Sequence, residues 1–165
     1  MYDDILLPVA PGGEATDAIT HAISLAERYD ATVHVVSAAD TAADTLAGPQ
    51  TGAFSDRLAD AAEERVEAVT AELEAAGVEA VGNVVRGEPL DVIENAVDDG
   101  ADIVVMPSHT RRGIRRLLLG SVTEKVIRVA SVPVVTVPMA DSEETADDAS
   151  DVTDESGAGG ASEVR

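Results

Sequence analysis

Five short aliphatic runs, separated by stretches with helical periodicity, constrain this chain more than any other feature. The runs are Ile5-Leu6-Leu7-Pro8-Val9, Ala31 to Ser37, Val78 to Val85, residues 102–106 and Val132 to Pro138. Each is short, bounded by turn residues and largely β-branched or aliphatic, which predicts a buried strand. Between the first two, Ala18, Ile19, Ala22, Ile23 and Ala26 recur at helical spacing. A second helix is expected from a cap at Ser55 through Leu58, Ala62, Val66, Val69 and Leu73 to a glycine turn at Gly77. The connection before it, 38–54, holds Gly48, Pro49 and Gly52 and reads as a long, mobile or functional loop.

The second half repeats the pattern. Gly82 weakens the third strand, and Arg86-Gly87-Glu88-Pro89 is a turn that places Pro89 in the first turn of a short helix. Leu90, Ile93, Ala96 and Val97 are expected to face inward, and Gly100 ends that helix. The fourth strand is expected to stop at Pro107. Ser121 and Glu124 have the spacing of a capping box for a last helix, with Val122, Val126, Ile127 and Ala130 as its apolar face. Two prolines in the fifth run, Pro133 and Pro138, suit an edge strand.

The resulting order, β-α-β-α-β-α-β-α-β, predicts an α/β domain with a parallel sheet and right-handed crossovers over residues 1–139. Residues 140–165 are acidic, without periodicity or bulk, and are expected to form a disordered tail. A doubly wound sheet holds its ligand beyond the carboxyl ends of the strands, where the chain changes direction. The loops after strands one and four would flank that crevice. The second leads to Gly120-Ser121 at a helix N-terminus, where free N–H groups favour an anion. Six of the eleven basic residues lie nearby: Arg111, Arg112, Arg115, Arg116, Lys125 and Arg128.

Composition narrows the function classes. No cysteine is present, so disulfides and thiolate metal sites are excluded. No apolar run approaches the roughly 20 residues of a membrane span. Met1-Tyr2-Asp3-Asp4 is acidic and leads straight into a strand, unlike a signal peptide, so a cytoplasmic location is expected. The formal net charge is −21, and only nine of the 32 acidic residues fall in 141–165. An excess spread this evenly reads as adaptation to a salt-rich cytoplasm, with an acidic surface for a basic partner as the alternative. It argues against nucleic-acid binding. His21 and His34 lie on different elements without metal-ligand spacing, and His109 reads as a loop histidine or ligand contact.

The chain resembles the universal stress protein family over residues 2–138. The resemblance rests on YDDILLPV, ATVHVV, VVRGEPLDVIENA and, above all, MPSHTRRGIRRLLLGSVTEKVIRVASVPVVTV. It implies a five-stranded sheet of order 3-2-1-4-5 and a homodimer through antiparallel pairing of the last strands, here Val134, Val135, Thr136 and Val137. It also implies an ATP or AMP site, which this chain would build from Val9, Ala10, Val35, Met106, Pro107, His109, Thr110, Gly120, Ser121 and Val122. Nucleotide-binding members carry an aspartate after the first strand and a Gly-x2-Gly-x9-Gly-Ser/Thr signature. This chain has Ala10 in place of the aspartate, and Pro107 and Thr110 in place of the first two glycines; only Gly120-Ser121 matches.

Each lost contact costs about 1–3 kcal/mol of ligand affinity. The main expectation is therefore a stress-response regulatory protein with a degenerate nucleotide site, acting as a dimeric interaction module with an unidentified protein partner. It carries no catalytic residue and needs no cofactor. The alternative is an ATP- or AMP-binding switch, with slow hydrolysis at most, that uses the retained Gly120-Ser121 helix terminus.

Overall fold

Alternation along the strands decides which helix each side chain meets. The computed structural model describes residues 1–39, 52–108 and 120–139. The elements are β1 Asp4–Pro8, α1 Thr16–Tyr29, β2 Thr32–Ala39, α2 Gly52–Ala75, β3 Ala80–Arg86, α3 Pro89–Asp98, β4 Ile103–Ser108, α4 Ser121–Val129 and β5 Val134–Pro138. All strand pairs are parallel, in the order β3-β2-β1-β4-β5. The alternating order and the five-stranded parallel sheet thus stand as the sequence leads one to expect.

Ile5, Leu7, Val33, Val35, Ile103 and Val105 turn to one face and pack against α1 and α2. Leu6, Val36, Val104 and Met106 turn to the other, against α3 and α4. This is the period-two logic of a strand buried on both sides. α1 buries Ala18, Ile19, Ala22 and Ala26, and α2 buries Ala62, Val66, Val69 and Leu73.

Gly82 is not merely a weak strand residue. A Cβ there would stand 2.6 Å from Val66 Cγ1 and 2.7 Å from Thr70 Oγ1. The missing side chain lets α2 lie close on β3.

Several boundaries differ from expectation. α2 begins at Gly52, so Ser55 lies in its first turn and is not its cap. The rest of the expected loop, 40–51, lies outside the described residues, as does the tail 140–165. In α3 the deepest side chains are Val92, Ile93 and Val97, while Leu90 and Ala96 are only partly buried. β4 does not stop at Pro107 but runs on to Ser108. The hydrogen bond from the Val104 amide to the Pro133 carbonyl sets the even residues of β4 toward β5. The nitrogen of Pro107 therefore points toward β1, whose pairing with β4 ends at Val104. A proline there costs the ladder nothing.

At the opposite end of the sheet, the Asp102 carboxylate accepts the amides of Asp3 and Asp4 at 2.8 and 3.1 Å. These bonds hold its pKa below the ordinary carboxylate value. His34 Nε2 donates to Asp4 Oδ1 at 2.6 Å across β2 and β1.

Candidate functional site

β1 leads to β2 on one side, and β4 leads to β5 on the other. The sheet order reverses between β1 and β4, and their carboxyl ends splay apart there into a crevice of about 260 Å³. Its floor is Pro8, Val9, Ala10, Met106 and Pro107. Val36 and Ala38 of β2 form one wall, and Pro89, Val92 and Ile93 of α3 form another. Gly120, Ser121, Val122 and Thr123 close the remaining end. The lining is mainly aliphatic and proline, and its side-chain hydroxyls, on Ser121 and Thr123, lie on α4. A volume near the lower end of the usual ~300–1,000 Å³ for ligand sites suits a molecule of mononucleotide size or less.

The turn after β1 shapes the rim. Gly12 has φ 68°, and the Gly13 amide donates to the Ala10 carbonyl at 3.0 Å. Ala10 itself is exposed and offers no polar side chain. At the other end, Gly120 caps α4 with φ −57° and ψ 152°, and no side chain caps it. The first helical hydrogen bond runs from the Glu124 amide to the Gly120 carbonyl at 2.9 Å. The amides of residues 121–123 therefore have no acceptor within the helix. They form the positive end of the helix dipole, at the wall of the crevice.

The expected capping box does not form. Ser121 is the first helical residue and not the cap, and the Glu124 carboxylate instead accepts Arg128 Nη2 at 2.6 Å. Lys125 Nζ lies 3.6 Å from Glu88 Oε1. Two of the six basic residues thus pair with surface carboxylates. Arg111, Arg112, Arg115 and Arg116 lie outside the described residues. The apolar face of α4 also differs. Val126 and Thr123 are buried, Val122 and Ala130 are half-buried, and Ile127 is exposed. Ile127 sits about 100° around the helix from Val126, which carries it off the sheet.

Of the ten candidate site residues, Val9, Ala10, Met106, Pro107, Gly120, Ser121 and Val122 all line the crevice. Val35 does not: its side chain packs in the α1/α2 core, and its neighbour Val36 lines the crevice instead. A one-residue shift along a strand moves a side chain to the other face. His109 and Thr110 lie outside the described residues. Pro89, Val92, Ile93 and Thr123 were not anticipated; the placement of Pro89 at the start of α3 was the one signal that this helix begins at the crevice.

A larger groove of about 430 Å³ lies on the same face, between α3 and β3, lined by Asp4, His34, Asn83, Val85, Asn95 and Asp99 among others. None of its described lining residues belongs to α4. Among the described residues, no group of three His, Asp, Glu or Cys side chains is placed to hold a metal ion, and no helix is long and apolar enough to cross a membrane.

Comparison with known proteins gives this geometry a context. The model of the Universal stress protein family matches residues 1–138. Universal stress protein MJ0531 of Methanocaldococcus jannaschii is 30% identical over 141 residues, covering 83% of this chain and 82% of that protein. The solved structure of MJ0577, from the same organism, is 30% identical with a TM-score of 0.71, covering 86% of this chain and 99% of the other. The universal stress protein from Archaeoglobus fulgidus in complex with dAMP is 24% identical with a TM-score of 0.60, covering 82% and 97%.

Proposed function

Because this chain belongs to the universal stress protein family, we propose that it is a stress-response protein that binds an adenine mononucleotide or ATP in the β1/β4 crevice and acts as a switch, not as a catalyst. The observation that carries this reading is the crevice's asymmetry. Among the described residues its floor and walls are apolar, as a flat base requires, and its polar end is a helix N-terminus with three free amides. A protein of the same fold is described in complex with dAMP. No carboxylate or imidazole among the described residues lines the crevice, so none of these residues is poised to activate water.

Binding is expected to be weak. Ala10 removes a polar partner at the end remote from α4, and Pro107 removes a backbone donor from the floor. We expect Kd between about 10 μM and 1 mM, roughly −7 to −4 kcal/mol. Calorimetric titration of the whole chain with AMP, and with ATP and magnesium, in high salt provides the test. Saturation in that range supports the reading; no heat of binding at several millimolar of either ligand overturns it.

A second reading, a dimeric interaction module with an empty crevice, is favoured by β5. This strand is a sheet edge whose Val134, Val135, Thr136 and Val137 are only half-buried within one chain. An apolar edge of this kind wants a partner. Sedimentation should give a dimer at micromolar concentration that Val135→Asp weakens; a monomer throughout would remove this reading.

A further inference from the structure

The two edges of the sheet are built differently. β5 follows Pro133 and ends in Pro138, whereas β3 holds no proline, and its one charged residue, Arg86, stands at its carboxyl end. The Val33 amide donates to the Glu79 carbonyl at 2.9 Å, and the Gly87 amide donates to the Ala39 carbonyl at 3.2 Å. In a parallel ladder these bonds commit the odd-numbered residues of β3 to β2. Ala80, Gly82, Val84 and Arg86 therefore turn their amides and carbonyls outward. Among the described residues no strand pairs with that side.

The side chains on either side of this edge share one character. Gly82 faces α2, beneath Val66 and Thr70, so its neighbours Val81 and Val85 turn to the other face of the sheet. They are 42% and 41% exposed. Val85 and Asn83 line the groove beside α3, whose carboxylates are Asp4 and Asp99. On the α2 side, Glu63, Glu67 and Glu74 lie within about 20–60° of Thr70 around the helix, on the flank above the free edge. All three are exposed. The arginines of α2, Arg57 and Arg65, lie about 140° from Thr70. Among the described residues, none of Glu63, Glu67, Glu74 and Asp99 has an ion-pair partner. The edge thus carries an apolar strip with carboxylates on both of its faces.

We propose that β3 is a docking edge for an extended segment of a partner protein in which basic residues alternate with apolar ones. The segment adds a sixth strand, bonded to the outward amides and carbonyls of Ala80, Gly82 and Val84. Its side chains alternate between the two faces. Basic ones meet Glu63, Glu67 and Glu74, and apolar ones cover Val81 and Val85. Backbone bonds supply affinity, and the alternation supplies specificity. A second copy of this chain fits poorly, because two such edges would set one glutamate row against the other. The carboxylates guard the edge against its own kind and admit a cationic strand. The surface is separate from the crevice and does not depend on the nucleotide reading.

The test titrates the whole chain, at physiological ionic strength, with three short labelled peptides. One alternates lysine and valine, one has the same residues in two blocks, and one is the alternating peptide N-methylated along its backbone. The alternating peptide should bind about tenfold tighter than either control. Glu63→Gln, Glu67→Gln and Glu74→Gln together should weaken it about tenfold. Val84→Pro removes one outward amide and spares the ladder to β2, and should weaken it by a similar factor. Thermal unfolding checks that V84P is folded, and the N-methylated peptide makes the same test without a substitution. Equal binding of the alternating and block peptides overturns the proposal. So does an N-methylated peptide that binds as well as its parent, or unchanged affinity in the triple variant. An oligomer of the unsubstituted chain that V84P dissolves also overturns it, since a second copy then occupies the edge.

Discussion

Helices of 14 and 24 residues cover one face of the sheet; helices of 10 and 9 cover the other. Under the longer pair the buried side chains are continuous, from Ile5 through Val69 and Leu73 to Ile103. Under the shorter pair the core is smaller, and the crevice and the groove beside β3 open on that side. The long-helix face holds the domain together. The short-helix face gives up packing to bring a helix end to the place where the strands part. Orphan amides are liabilities in a core and assets in a binding site.

Truncation on the two faces puts this contrast to its severest test. Leu73 is wholly buried under α2, and Leu73→Ala should cost toward the upper end of about 2–5 kcal/mol in denaturant unfolding. Ile93 is buried too but borders the crevice, so part of its surface already lacks partner atoms. Ile93→Ala should fall toward the lower end of the same range. Equal losses would break the comparison. Gly82→Ala probes the closeness of α2 alone. With Val66 and Thr70 in the way, it should cost about 1–3 kcal/mol and leave AMP affinity unchanged.

On the short-helix face the expected effect is on binding. Ala10→Asp restores a polar partner at the rim of the crevice and should tighten AMP about tenfold, near 1.4 kcal/mol, with little change in stability because position 10 is exposed. Unchanged affinity would mean that the base end of the ligand lies elsewhere.

The smallest effect belongs to the far end of the sheet. The pKa of Asp102 is lowered by the amides it accepts, so its contribution to stability is present above the unfolded-state pKa of about 3.9 and is lost as pH falls through the folded value. Asp102→Asn should be slightly less stable than the parent at neutral pH, and the gap should close in acid. A gap that persisted in acid would place the effect in geometry and not in charge.

How much of this was legible beforehand depended on the kind of signal. Strand and helix order followed from periodicity, because burial on two faces leaves a strong pattern at Ile5–Val9 and along Ala62–Leu73. The strand order came with the resemblance, carried above all by residues 106–137, whereas the place of the crevice followed from the loops after strands one and four. Position along a strand was harder. Val35 and Val36 are chemically alike, and only the register decides which one faces the crevice. Pro107 read as a stop because a proline usually breaks a ladder; it continues here because the ladder on its β1 side has already ended. Ser121 read as a cap because Gly120 left no side chain to compete in the pattern. Thr123 stayed hidden for a related reason. A helix face is read by its apolar residues, and a lone hydroxyl among them looks like noise until its burial is known.

The place of β1 in the sheet carries a consequence for how the protein is made. It pairs on one side with β2, about thirty residues on, and on the other with β4, about a hundred residues on. The ties from Asp102 to the amides of Asp3 and Asp4 span 99 and 98 positions. At roughly 5–20 residues per second, a ribosome needs about 5–20 s to extend the chain from one to the other. For that interval the first three strands and the long-helix layer can assemble, but β1 stays an open edge. The crevice itself does not exist until β4 and α4 have emerged, so a nascent chain acquires its stable half first and its recognition half last.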